Sequence, residues 1–92
     1  MDHANVTAEA MDVLRFLVEH IVGNGNCFHI TPSEDEKGTL LLLQISRAEA
    51  GRVIGKSGKT SNAIRQVLRA LATKNNVSYF LKIEVWDGKE TQ

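Results

Sequence analysis

The chain reads as a small α/β (α+β) domain with three helices and three strands in the order α-β-β-α-α-β. Three observations lead to that class. Residues 7–22 and 58–74 carry apolar side chains at the helical period of 3.6. Residues 27–31 and 77–86 alternate as half-buried strands do, and residues 39–45 hold a run of four leucines that suits a central strand. Between the helical patterns lies Val53-Ile54-Gly55-Lys56-Ser57-Gly58-Lys59-Thr60, with two glycines three residues apart.

Taken in order, Thr7 is the expected N-cap of the first helix. Its inner stripe is Ala10, Leu14, Leu17, Val18 and Ile21, edged by Met11 and Val22. Val13 and Phe16 fall outside the stripe, Phe16 nearly opposite it. Gly23-Asn24-Gly25-Asn26 stops the helix. The first strand is expected to end at Pro32, and residues 33–38 to form a polar, acidic loop. So short a connection makes the first two strands an antiparallel pair. Ser46-Arg47-Ala48-Glu49 has the form of a capping box and starts a helix with Ala50, Val53 and Ile54 inside, ended by Gly55. The third helix buries Ile64, Val67, Leu68 and Leu71 and breaks at Asn75-Asn76. In the last strand Val77, Tyr79, Leu81, Ile83 and Val85 share one face, and Phe80, Lys82, Glu84 and Trp86 the other. Residues 87–92 form a polar tail.

Ninety-two residues with 42% hydrophobic content suffice for a single domain, with a core over about residues 7–87. The one cysteine, Cys27, can form no internal disulfide, which fits a reducing compartment. No signal-type block or membrane-length apolar run occurs. The expectation is a cytoplasmic protein without membrane contact.

Net charge is zero, yet residues 47–69 hold six cations (Arg47, Arg52, Lys56, Lys59, Arg65, Arg69) against Glu49 alone, a local +5 balanced by −5 elsewhere. A local field of that kind steers a polyanion more than the total charge does. Phosphate is therefore the first ligand to weigh. A nucleotide-binding P-loop needs Gly, four residues, then Gly-Lys-Ser/Thr. Gly58-Lys59-Thr60 supplies its end, but Val53 stands where the leading glycine belongs. The flanking elements are two helices rather than a strand and a helix. Other catalysis lacks its parts: His3, His20 and His29 have no metal-site spacing with Cys27 or a carboxylate, and no general base is identifiable for Ser57. Neither an enzyme, a cofactor nor a small-molecule substrate is expected.

A nucleic-acid clamp fits the stretch better. Gly55 and Gly58 remove the side chains that would hold a sugar-phosphate backbone away. Lys56 adds a cation, Ser57 a small hydroxyl, and the helix starting near Gly58 adds free N–H donors. Arg52, Lys59 and Arg65 widen the positive field, while Val53, Ile54 and Ile64 are the nearest apolar wall for bases. No aromatic residue lies between Arg47 and Lys74, so stacking on an aromatic platform is not expected there.

Arg52-Val53-Ile54-Gly55-Lys56-Ser57-Gly58-Lys59, followed by Ala63-Ile64-Arg65, resembles the signature of KH domains, whose GxxG loop clamps about four backbone nucleotides. The element order is similar to the type II, prokaryotic arrangement, and the size to the small bacterial KhpA family. The resemblance runs from about residue 10 to residue 86. It implies a three-stranded sheet with its helices on one face, and a protein that binds single-stranded RNA as a chaperone or post-transcriptional regulator. It further implies self-association, or pairing with a larger KH-containing protein of the KhpB (Jag) kind. Carried onto this chain, the clamp is Gly55, Lys56, Ser57 and Gly58. The groove includes Val53, Ile54 and Ile64, and Arg52, Lys59 and Arg65 contact RNA. Residues 33–38, here rich in acid, occupy the place of the type II variable loop. The alternative is a protein-interaction or ribosome-assembly module that keeps the fold without free RNA affinity.

Overall fold

The computed structural model describes residues 3–23 and 27–86. Helix α1 (His3–Val22) leads into strands β1 (Phe28–Asp35) and β2 (Gly38–Ser46). Helix α2 (Arg47–Ile54), a single 3-10 turn (Lys56–Gly58) and helix α3 (Lys59–Asn75) follow, and strand β3 (Tyr79–Trp86) closes the order. The strands form one sheet in the order β1-β2-β3. Strands β1 and β2 pair antiparallel across the two-residue turn Glu36-Lys37; β2 and β3 pair parallel, because two helices carry the chain back between them.

Strand β2 is central, and its alternation sets the layers. Leu41, Leu43 and Ile45 are wholly buried against the helices, while Leu40, Leu42 and Gln44 lie on the opposite face and are only partly covered. Ala10, Leu14, Val18 and Val22 of α1, Ala50 and Val53 of α2, and Ile64 and Leu68 of α3 join them in one core. Burying each large side chain there contributes roughly 1.5–3 kcal/mol.

Several boundaries differ from expectation, each for a physical reason. Helix α1 begins at His3, so Thr7 is an interior residue rather than a cap. Its hydroxyl donates instead to Glu34 Oε2 at 2.6 Å, and Val6 and Thr7 are both buried. Strand β1 continues through Pro32 to Asp35, opposite Leu41 and Gly38 respectively. Proline is tolerated because β1 is an edge strand, where its missing N–H interrupts nothing. The loop expected over residues 33–38 therefore shrinks to Glu36-Lys37, with Lys37 N–H donating to Asp35 Oδ1 at 2.8 Å.

Helix α2 starts where the capping box placed it, but the box is not made. Ser46 forms no side-chain cap, and its own N–H is taken by Cys27 O at 3.0 Å. In α3 the buried line is Ser61, Ile64, Leu68, Ala72 and Asn75; Leu71 is partly covered and Val67 is 42% exposed. Residues 77 and 78 precede β3 as a corner, tied by Val77 N–H to Ala72 O and by Thr39 N–H to Ser78 O. Phe16 lies outside the stripe as expected, 60% exposed and packed on His20 with ring centroids 4.3 Å apart. The Asn24-Gly25-Asn26 part of the helix stop and the tail at residues 87–92 lie outside the described residues.

Candidate nucleic-acid interface

The loop between α2 and α3 is built by backbone conformations that side chains resist. Gly55 ends α2 at φ 79°, ψ 172°, with its N–H donating to Gly51 O at 2.8 Å. That region of conformational space belongs almost solely to glycine. A Cβ at Gly55 would also stand 2.7 Å from Thr60 Cβ and from Thr60 N. Ser57 (φ 57°, ψ 26°) and Gly58 (φ 77°, ψ 13°) then take two successive left-handed conformations. Gly58 N–H donates to Gly55 O at 3.1 Å and closes the turn. Around Gly58 there is space: the nearest atom to a built Cβ is Ser61 Oγ, 4.0 Å away. Gly55 is thus required by packing against Thr60, whereas Gly58 combines a left-handed turn with an open outer side.

The donors follow from this path. Helix α3 starts at Lys59, and its N-cap is Gly58, which has no side chain to satisfy the first N–H groups. Ser61 Oγ donates to Gly58 O at 3.2 Å and so stabilises the turn without using those donors. Lys56, Ser57 and Lys59 are exposed around them, and among the described residues neither lysine has a carboxylate partner. The loop gathers two free cations, a hydroxyl and a helix N-terminus at one exposed corner, which suits an anion approaching by its backbone.

The other expected site residues are distributed unequally. Arg52 lies one turn before the loop, exposed, with Nε 3.2 Å from Glu49 Oε1, so part of its charge is already answered. Ile54 keeps some surface. Val53 is wholly buried and Ile64 is 3% exposed, which makes both supports from beneath rather than an open wall. Arg65 turns towards β3 and donates from Nη2 to Leu81 O at 3.3 Å.

Beside Arg65 the sequence reading missed a cleft of about 400 Å³ between α3 and β3. Leu68, Ala72, Val77 and Leu81 line it together with Arg65, Arg69, Thr73 and Ser78. The available signal was the spacing of Arg65, Arg69 and Thr73, which are i, i+4 and i+8 on one ridge of α3. What helical spacing does not disclose is that the ridge faces a free sheet edge. Among the described residues, no group of three or more His, Cys, Asp or Glu could hold a metal ion, and no helix is long and apolar enough to cross a membrane.

The family model described as KhpA/KhpB, KH domain matches residues 11–83. The RNA-binding protein KhpA of Borreliella burgdorferi is 33% identical over 73 residues, covering 79% of this chain and 89% of that protein. KhpA of Aquifex aeolicus is 32% identical over 72 residues (78% and 91%), and KhpA of Listeria monocytogenes is 32% identical over 72 residues (78% and 95%). The α-β-β-α-α-β order, the mixed sheet and the Gly55–Gly58 loop agree with a match over most of the chain. This protein belongs to the KhpA/KhpB family of KH domains.

Proposed function

We propose that the protein binds single-stranded RNA by seating the sugar-phosphate backbone on the loop Gly55-Lys56-Ser57-Gly58. The observation that carries this reading is the pair of left-handed residues, Ser57 and Gly58, set before an uncapped helix N-terminus with exposed Lys56 and Lys59 alongside. The glycines let the backbone approach, the α3 amides and Lys56 meet phosphate oxygens, and Ser57 offers a hydroxyl at short range. Lys59 and Arg52 add to the field, Arg52 after exchanging Glu49 for phosphate. Bases then lie along Ile54 and the cleft towards Arg65, over a floor supported by Val53 and Ile64. The relatives' printed name, RNA-binding protein, agrees with this assignment.

The action is non-covalent and needs no cofactor. Phosphate neutralisation supplies most of the affinity, and the groove supplies modest base preference. A single module of this size binds weakly, so pairing with a second copy or with a larger KhpB-like protein raises affinity through avidity. Exposed Phe16, Val67 and Phe80 offer apolar surface for such pairing. We infer a cytoplasmic RNA chaperone or post-transcriptional regulator rather than an enzyme.

The test is the double variant Lys56→Asp/Ser57→Asp, checked for fold by circular dichroism and titrated with unstructured RNA at two salt concentrations. Binding is expected to fall at least about tenfold, with a shallower salt dependence, by about 0.7 for each lost phosphate contact. Unchanged binding by a folded variant removes the clamp and leaves the protein-interaction reading.

A further inference from the structure

The Gly55–Gly58 loop takes conformations that its own side chains do nothing to hold. Ser57 is a non-glycine residue at φ 57°, and Gly55 and Gly58 stand at φ 79° and 77°. None of Lys56, Ser57 and Gly58 is buried, so the turn has no packed side chain of its own. Such conformations persist only where the surrounding structure over-determines them. Here the surroundings are the first turn of α3.

Ser61 is the first support. It opens the buried line of α3 (Ser61, Ile64, Leu68, Ala72 and Asn75), where the helical period calls for an apolar side chain. It is only 5% exposed, and an unpaired hydroxyl buried to that degree is costly. Its Oγ is satisfied by donating to Gly58 O at 3.2 Å. Asn75, the other polar residue of the line, is answered by Glu9 and Tyr79 at the far end of the helix. The Ser61 bond fixes the rigid peptide plane that joins Gly58 to Lys59. From there the support passes back through the loop: Lys59 N–H donates to Lys56 O, and Gly58 N–H to Gly55 O at 3.1 Å.

Thr60 is the second support. Its Oγ1 lies against the side of Gly55 that a Cβ would occupy, and its own Cβ and N are each 2.7 Å from that position. The contact is one of shape. Gly55 and Gly58, the two ends of the clamp, are thus each held by a hydroxyl-bearing residue of one helical turn. Ser61 is buried and so cannot itself reach a phosphate.

We propose that Ser61 and Thr60 are positioning residues, which preform the clamp before RNA arrives and thereby set its affinity. The proposal rests on the RNA-binding reading and adds to it the source of the loop's fixed shape. A loop released from these supports spends part of its time in other conformations. The apparent affinity then falls with the fraction that remains competent. The number of phosphates neutralised in the bound state does not change, so the salt slope does not change either.

The experiment titrates unstructured RNA at two salt concentrations against the original protein and five variants. These are Ser61→Ala, Thr60→Ala, Thr60→Val, Thr7→Val and Lys56→Asp/Ser57→Asp, all measured where circular dichroism shows them folded. Ser61→Ala and Thr60→Ala are each expected to weaken binding about fivefold at an unchanged salt slope. Thr60→Val keeps the packed shape and is expected to bind more tightly than Thr60→Ala. Thr7→Val removes a similarly buried hydroxyl, which bonds Glu34 and has no part in the loop. It is expected to lower the melting temperature and to leave RNA affinity unchanged. Full affinity in Ser61→Ala or Thr60→Ala, or an equal loss in Thr7→Val, makes the supports merely structural and overturns the proposal. So does Thr60→Val binding no more tightly than Thr60→Ala, or a shallower salt slope, which means that phosphate contacts were lost. Failure of the clamp itself looks different: the Lys56/Ser57 variant then binds RNA normally.

Discussion

Three glycines around the interface separate what the fold requires from what the ligand requires. Gly55 occupies a conformation nearly confined to glycine and faces Thr60 at 2.7 Å, so Gly55→Ala incurs both backbone strain and a clash. A loss of about 2–4 kcal/mol is expected, lowering the melting temperature by roughly 10 °C or more. Gly58 is left-handed but open, and Gly58→Ala is expected to cost only about 1 kcal/mol. Gly51 differs from both. It sits inside α2 with no positive φ, and nothing stands within 4 Å of a built Cβ. Gly51→Ala should therefore stabilise the protein by about 0.5–1 kcal/mol through helix propensity alone. Thermal melts of the three variants check the ranking; a Gly58→Ala loss equal to that of Gly55→Ala would refute the packing role given to Thr60. Cys27 is a further residue-scale case. Burial, and then the charge of Glu49, raise its pKa above the ordinary 9.0. The unfolded thiol ionises first, so the protein should lose stability as pH rises through about 9.

At the scale of elements, α2, β2 and α3 were legible to within a residue or two, because their signals are local. The run of leucines marked the central strand, Gly55 the end of α2, and Asn75-Asn76 the end of α3. The misreadings all involve long-range partners. Thr7 has the residue type of a cap, but its hydroxyl goes to Glu34 on a strand 27 positions away. Pro32 ends a central strand and is harmless on an edge, and edge position is a property of the sheet. Val67 fits the helical period, yet the stripe turns through Ala72 to Asn75, because Asn75 Nδ2 donates to Glu9 Oε1 at 3.0 Å and to Tyr79 Oη at 3.2 Å. The candidate site divides the same way: its loop was readable, its cleft was not. That long-range tie is itself testable. Lys74 Nζ lies 2.8 Å from Glu9 Oε2, and Tyr79 Oη donates to Val6 O at 2.7 Å, joining α1, α3 and β3. The Lys74 and Asn75 bonds hold the Glu9 carboxyl below its ordinary 4.5. A depressed carboxylate stabilises above its unfolded pKa and loses that contribution as pH falls through its folded one. Glu9→Gln should thus lose stability at pH 7, where the carboxylate contributes, converge with the original protein at low pH, and so flatten the acid side of the stability curve below about pH 4.5, as read by denaturant midpoints across pH. Tyr79→Phe should cost about 1 kcal/mol at every pH, having lost a neutral bond.

At the scale of the whole molecule, neutrality hides a separation of charge. Residues 47–69 are net +5, while Glu34, Asp35 and Glu36 gather at the β1–β2 turn. Whether that acidic turn gates RNA is a question of distance. Strand β2 carries the chain about 26 Å from Gly38 to Ser46, and α2 can return at most about 13 Å of it before Gly55. Turn and clamp are therefore at least about 12 Å apart, beyond the Debye length of about 8 Å at physiological salt. At that separation the turn is expected to balance the net charge and not to wall the proposed groove. Glu34 is committed to Thr7, so the clean variant is Asp35→Asn/Glu36→Gln. Its RNA affinity should stay within about twofold at physiological salt, and should rise only when salt is lowered to about 0.01 M, where the field reaches about 30 Å. A several-fold gain at physiological salt would put the turn beside the bound strand and require a different path for RNA across the protein.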